Sequence, residues 1–188
     1  AVGTSINAME KEWGDESVLP GAGRSRIVGL FCGGTLAAEA QVVFIDEAVS
    51  VASNAPIRGA SELVTASHHV LVDLGADSYT RGRPHPMIDP AVREDELMRA
   101  LGDATVAVVL LDVVIGHGAH SDPASAIARV LCKALPDRPV VVASVTGTKR
   151  DPQDRDAQLL ILRDAGVLIA PTNADAARLA LTCLSLID

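Results

Sequence analysis

Short runs of Val, Leu, Ile and Ala alternate along the chain with segments in which apolar residues recur every three or four positions. This is the pattern of buried strands set between amphipathic helices. Residues 26–31 predict the first strand. Gly33-Gly34-Thr35 then turns into a helix over residues 36–44, with Leu36, Ala40 and Val43 on one face. Further strands are predicted at 70–74, at 106–111 with Asp112 closing it, at 138–143 and at 167–170. Helical patterning falls over 90–101, with Leu97, Met98 and Leu101 on one side, over 154–165, and over 173–184 on the Ala177, Ala180, Leu181, Leu184 face. Asp122 caps another helix with Pro123 at its first position and a stripe of Ala124, Ile127, Ala128, Leu131 and Leu135. Gly166 stands where a helix C-terminal cap wants it. Residues 45–67 carry the breakers Asn54, Pro56 and Gly59 and predict a loop with a short helix, or an inserted arm.

Repeated strand–helix units require crossover connections. The fold class is therefore α/β: three layers, α/β/α, around a doubly wound parallel sheet of about five strands. Ligands of such sheets bind beyond the carboxyl ends of the strands. Segments 32–35, 75–89, 112–122 and 144–151 converge on that edge.

Composition sharpens this picture. Trp13, Phe31, Phe44 and Tyr79 are the whole aromatic complement, so the core is aliphatic. A net charge of -8 with no basic cluster excludes nucleic acid and anionic membrane as partners. Cys32, Cys132 and Cys183 form no CxxC pair and read as reduced thiols of a cytoplasmic protein. No apolar run reaches the ~20 residues that span a bilayer. Residues 1–25 are polar and read as an irregular arm before one domain at 26–188; the start at Ala1 suits a processed chain or a fragment.

Gly33, Gly34 and Thr35 at a helix start offer free N–H groups and a hydroxyl to phosphate or carboxylate, or else make an ordinary strand-to-helix turn. Arg81, Arg83 and His85 are spaced two apart and braced by Pro84 and Pro86, so an extended loop would aim all three at one anion. The other reading is a salt-bridged surface loop. His117 and His120 lie near Asp112 and Asp122, where a proton or ligand contact is more natural than a metal, because a glycine loop does not fix two rings on one ion. Thr148, with Lys149, Arg150 and Asp151, belongs to the same mouth. Cys32, beside the Gly-Gly turn, reads as a small core residue rather than a nucleophile, the alternative being a thiol whose pKa a helix N-terminus lowers. His68 and His69 read as a solvated strand edge.

Residues 29–36 (GLFCGGTL), 79–90 (YTRGRPHPMIDP) and 110–123 (LLDVVIGHGAHSDP), continued by Gly147-Thr148 and Asp151-Pro152-Gln153, carry a resemblance. Over residue 26 to the C-terminus the chain resembles the FdrA family, whose members look like the α subunit of succinyl-CoA synthetase and other NDP-forming acyl-CoA synthetases. That resemblance implies a flavodoxin-like, succinyl-CoA synthetase-type ligase domain. It also implies acyl or carbamoyl transfer of the oxamate carbamoyltransferase type, in purine (allantoin) catabolism. CoA, ATP or ADP with Mg, or carbamoyl phosphate would then come through partner subunits. The residues themselves fix no cofactor and no metal.

The synthetases carry phosphate on a histidine in a Gly-His-Ala-Gly loop after the fourth strand. Residues 147–152 read GTKRDP here, without histidine. Two readings follow. One is an enzyme subunit that binds a small carboxylate or an acyl or carbamoyl phosphate, with Gly33, Gly34, Thr35, Arg81, Arg83, Asp112, His120 and Thr148 around the anion and His85 or His117 moving a proton. The other is an assembly domain that docks on partner subunits or on its own copies.

Overall fold

The computed structural model describes residues 23–63 and 69–187. Most of the predicted N-terminal arm lies outside the described residues. Seven parallel strands form one sheet: β1 (Arg26–Phe31), β2 (Val51–Ser53), β3 (Ser61–Glu62), β4 (His69–Asp73), β5 (Val106–Val114), β6 (Val140–Thr146) and β7 (Val167–Ala170). Their spatial order is β3-β2-β4-β1-β5-β6-β7. The helices are α1 (Gly34–Asp46), α2 (Asp77–Thr80), α3 (Ala91–Gly102), α4 (Pro123–Leu131), α5 (Arg155–Asp164) and α6 (Asn173–Ser185).

Two apolar clusters sandwich the sheet. One gathers Val109, Leu111, Val141 and Ala143 under Leu97, Ile127 and Leu162 of α3, α4 and α5. The other gathers Val108, Leu110 and Val142 under Phe44 of α1 and Ala176 and Ala180 of α6. Consecutive strand residues feed opposite clusters, as a sheet covered on both faces demands.

The expected α/β sandwich is present, and the differences are instructive. Of the predicted loop or arm at 45–67, residues 64–67 lie outside the described residues, and the rest is no inserted arm: α1 runs to Asp46, and β2 and β3 extend the sheet, giving seven strands rather than about five. Buried Gln41 holds this edge by donating to Ala55 O at 3.2 Å and accepting from Ile57 N–H at 3.1 Å. β5 continues through Asp112 to Val114, because β6 pairs with it residue for residue along that stretch. Met98 and Leu135, both assigned to apolar stripes, are exposed; α4 stops at Leu131, before Leu135. His69 is no solvated edge: its Nδ1 accepts from Ile27 N–H at 3.1 Å and its ring meets Phe44 edge-on. The Asp122 cap stands as read, accepting from Ser125 N–H at 3.2 Å with Pro123 next to it.

The chain crosses from the β4 side of β1 to β5 on its other side. Ligands of doubly wound sheets sit at such reversals.

Candidate functional site

The end of β1 meets the start of α1 at this reversal. Gly33 is extended, α1 begins at Gly34, and no side chain caps it. Its first-turn N–H groups are thus left without intrahelical partners, at the positive end of the helix dipole. Gly34 packs close to the carboxylate that follows: a Cβ on it would lie 3.1 Å from Asp73 Oδ2. Asp73 ends β4, and its Oδ1 accepts from Gly75 N–H at 2.8 Å. Asn54 clasps the Asp73 backbone through both its amide groups, at 2.8 Å each.

Beneath this turn lies a buried ion pair. Asp112 Oδ1 accepts from Cys32 N–H at 2.9 Å and from the Arg93 guanidinium. Arg93 also donates to Asp112 O and to Cys32 Sγ, each at 2.6 Å. The two side chains are 5% and 1% exposed, so the pair is sealed from water. It ties β1, β5 and α3 at one point. Burial pushes the Asp112 carboxyl up, against the pull of Arg93 and the Cys32 N–H. Burial likewise pushes the Cys32 thiol up to about 12, with Arg93 opposing. The core reading of Cys32 holds, and its thiol pKa is raised rather than lowered because desolvation outweighs the pull of Arg93. Cys32 is a packed thiol here and no nucleophile at neutral pH.

Two clefts flank the start of α1 and share Leu36. The smaller, about 180 Å³, is lined by Cys32, Gly33, Thr35, His85 and Asp112 among others. His85 Nδ1 accepts from Met87 N–H at 3.2 Å, which leaves the proton of the neutral ring on Nε2. The larger, about 630 Å³, opens between α1 and α6 and is lined by Glu39, Thr148, Lys149, Arg155 and Asn173 among others.

The smaller cleft thus unites Gly33, Thr35, His85 and Asp112 of the candidate set, with Gly34 beside them. Thr148 lines the larger one, where its hydroxyl donates to Asp151 Oδ2 at 3.0 Å. His120 is fixed in the loop wall: its Nδ1 accepts from Asp122 N–H at 3.1 Å and its own N–H donates to Met87 O at 2.7 Å. His117 is exposed and lines neither cleft. His117, His120, Asp112 and Asp122 do not gather into a metal-binding group among the described residues.

The Arg81 loop needs correction in its geometry. It is a succession of turns and not an extended run: Arg81 N–H donates to Asp77 O at 3.1 Å, Arg83 N–H donates to Thr80 O at 3.0 Å, and Gly82 takes φ +74. Arg81 and Arg83 therefore do not inherit a common direction from strand alternation. Both side chains are exposed, without a salt bridge among the described residues, and neither lines either cleft.

Sequence reasoning missed Arg93, Asp73 and Gln153. Arg93 shares the helical stripe of Leu97, Ala100 and Leu101, and a cation in that apolar row was the available signal. Gln153 clamps the loops after β5 and β6, donating to Gly116 O at 2.9 Å and His120 O at 3.0 Å and accepting from Gly116 N–H at 3.1 Å.

A doubly wound sheet with an uncapped helix start at its reversal is the arrangement at which α/β domains bind ligands. The profile of the CoA-ligase family matches residues 30–183, and the chain belongs to that family. It is 34% identical over 163 residues to the uncharacterized protein YahF of Escherichia coli (strain K12), a match covering 82% of this chain and 32% of that protein. The chain thus spans about a third of that relative's length. The crystal structure of PH0766 from Pyrococcus horikoshii OT3 superposes with a TM-score of 0.56 at 12% identity, over 96% of this chain and 43% of the other, a likeness of fold.

Proposed function

We propose that this acyl-CoA synthetase-like domain works in acyl or carbamoyl transfer, as a subunit or portion of a larger assembly. In it the domain holds the phosphate and carboxylate groups of the reactants. The observation that carries this reading is the uncapped start of α1, exposed between two clefts at the reversal of the sheet. Backbone N–H groups aligned on a helix dipole stabilise an anion without any side chain having to move. Gly34 and Thr35 supply those donors, and the exposed Arg81 and Arg83 meet the outer oxygens. His85, with its proton held on Nε2, serves as the acid, and His117 is the alternative. The resemblance to FdrA-type proteins directs the substrate choice to carbamoyl phosphate and a small carboxylate such as oxamate.

The absence of histidine from residues 147–152 counts against a phosphohistidine synthetase cycle. A docking role has its own support: Arg81, Arg83, His117 and Ile88 all stand exposed on this edge. Thermal shift of the chain with phosphate, carbamoyl phosphate, oxamate, CoA, and ADP or ATP with magnesium tests these readings. Stabilisation by carbamoyl phosphate that weakens several-fold on joint Arg81→Ala and Arg83→Ala replacement is the expected result. A response to CoA alone would favour the synthetase reading, and no response to any compound would favour docking.

A further inference from the structure

The larger cleft holds two opposite charges that are fixed in place and left unmatched. Glu39, on the second turn of α1, is exposed, yet its Oε2 accepts from Asn173 Nδ2 at 2.8 Å. Asn173 is only 4% exposed, and the same Nδ2 donates to Leu36 O at 2.9 Å, so the amide that pins the carboxylate is itself anchored to the α1 backbone. Asn173 Oδ1 has no hydrogen-bond partner among the described residues, which leaves this wall with acceptors in excess of donors. Arg155, at the start of α5, is half-buried on another wall. Its Nε donates to Val145 O at 3.1 Å, and its two terminal nitrogens make no hydrogen bond among the described residues. Neither charge pairs with the other, nor with any further ion among the described residues, although both line one space of about 630 Å³. Lys149, which also lines it, is already bound to Asp156.

A charged side chain that merely faces water keeps its freedom to move. These two have given up part of that freedom without gaining an ionic partner. Charges held in this way bind a matching group at a smaller entropic cost. A plain anion would satisfy Arg155 and meet Glu39 as a like charge, and a plain cation would do the reverse. A molecule that carries both charges satisfies both. We infer that the larger cleft is a binding site for a small zwitterion, an amino acid whose ammonium group rests on Glu39 and whose carboxylate takes the terminal nitrogens of Arg155. The site stands apart from the anion site proposed at the start of α1, since neither Glu39 nor Arg155 lines the smaller cleft.

Calorimetric titration of the full chain with glycine, β-alanine, 4-aminobutyrate and 5-aminopentanoate varies the distance between the two charges. Each is compared with the carboxylate and the alkylammonium ion of the same chain length, which carry one charge apiece. The best member of the series is expected to bind at least about 10-fold more tightly than either of its single-charge counterparts, because each counterpart leaves one fixed ion unmatched. Glu39→Gln, an exposed replacement that keeps an acceptor for Asn173 Nδ2, is expected to bring the amino acid and its carboxylate counterpart to within about 2-fold of each other without weakening the carboxylate. Arg155→Gln serves as the second variant and is expected to remove the preference over the alkylammonium ion in the same way. No binding by any member, counterparts that bind as well as the amino acids, or a preference that survives Glu39→Gln would each overturn the inference. Phosphate and carbamoyl phosphate, titrated alongside, report on the start of α1. Their binding without an amino acid response overturns this inference alone, and the converse result leaves it standing without the anion site.

Discussion

Two sets of arginines face the same edge of the sheet and could hardly differ more. Arg81 and Arg83 sit on an exposed loop of turns, and no ion pair holds them among the described residues. Arg93 is buried, donates to Asp112 and Cys32, and locks α3 to the two central strands. The first set has the spacing and composition that attract notice, whereas the second hides in an apolar stripe. Exposure leaves a side chain available to a ligand, and burial commits it to the fold.

The comparison can be broken at three points. The largest effect is expected at Cys32, the thiol in the buried centre. With its pKa pushed up to about 12, only about one thiol in ten thousand is ionised at pH 8. Since ionisation is lost as pH falls below the raised pKa, iodoacetamide at pH 8 is expected to label exposed Cys132 and to spare Cys32 and Cys183, whose thiol burial likewise raises to about 12. Intact mass would then show one adduct. Rapid labelling of Cys32 in the folded chain would mean the centre opens.

Arg93→Ala comes next. Removing one partner of a buried pair strands the other charge, and a loss of about 3–5 kcal/mol in urea unfolding is expected. The double replacement Arg93→Met with Asp112→Leu is expected to recover much of that loss, since an apolar pair avoids desolvation altogether. Arg81→Ala and Arg83→Ala form the smallest step, within about 0.5 kcal/mol of the parent stability. A loss of several kcal/mol there would show that the rim arginines are structural after all.

How far the sequence could be read follows from the range of each interaction. The Asp122 cap, the Gly166 turn and the start of α1 rest on contacts within a few residues, and local patterning found them. β2 and β3 are too short to stand out: three and two residues become strands only because β4 offers them a paired edge. The same limit explains Asp112. Its place at the end of an apolar run read as a strand terminus beside a ligand, yet β6 pairs through it and Arg93 covers it.

The alternation of aliphatic runs and amphipathic segments was enough by itself to require a parallel sheet covered on both faces, because no other arrangement buries such strands and such helices together. It also brought residues 32–35, 75–89, 112–122 and 144–151 to the carboxyl edge. Which residues of that edge are sealed, which are free, and that oxygens of Asp112, Ser144 and Asn173 are buried without a partner among the described residues were settled only by the tertiary structure. Those facts depend on residues between 29 and 61 positions apart, Ser144 from Asn173 and Asp112 from Asn173, and on the loss of solvent around them. Neither distance in space nor access to water is written in local sequence.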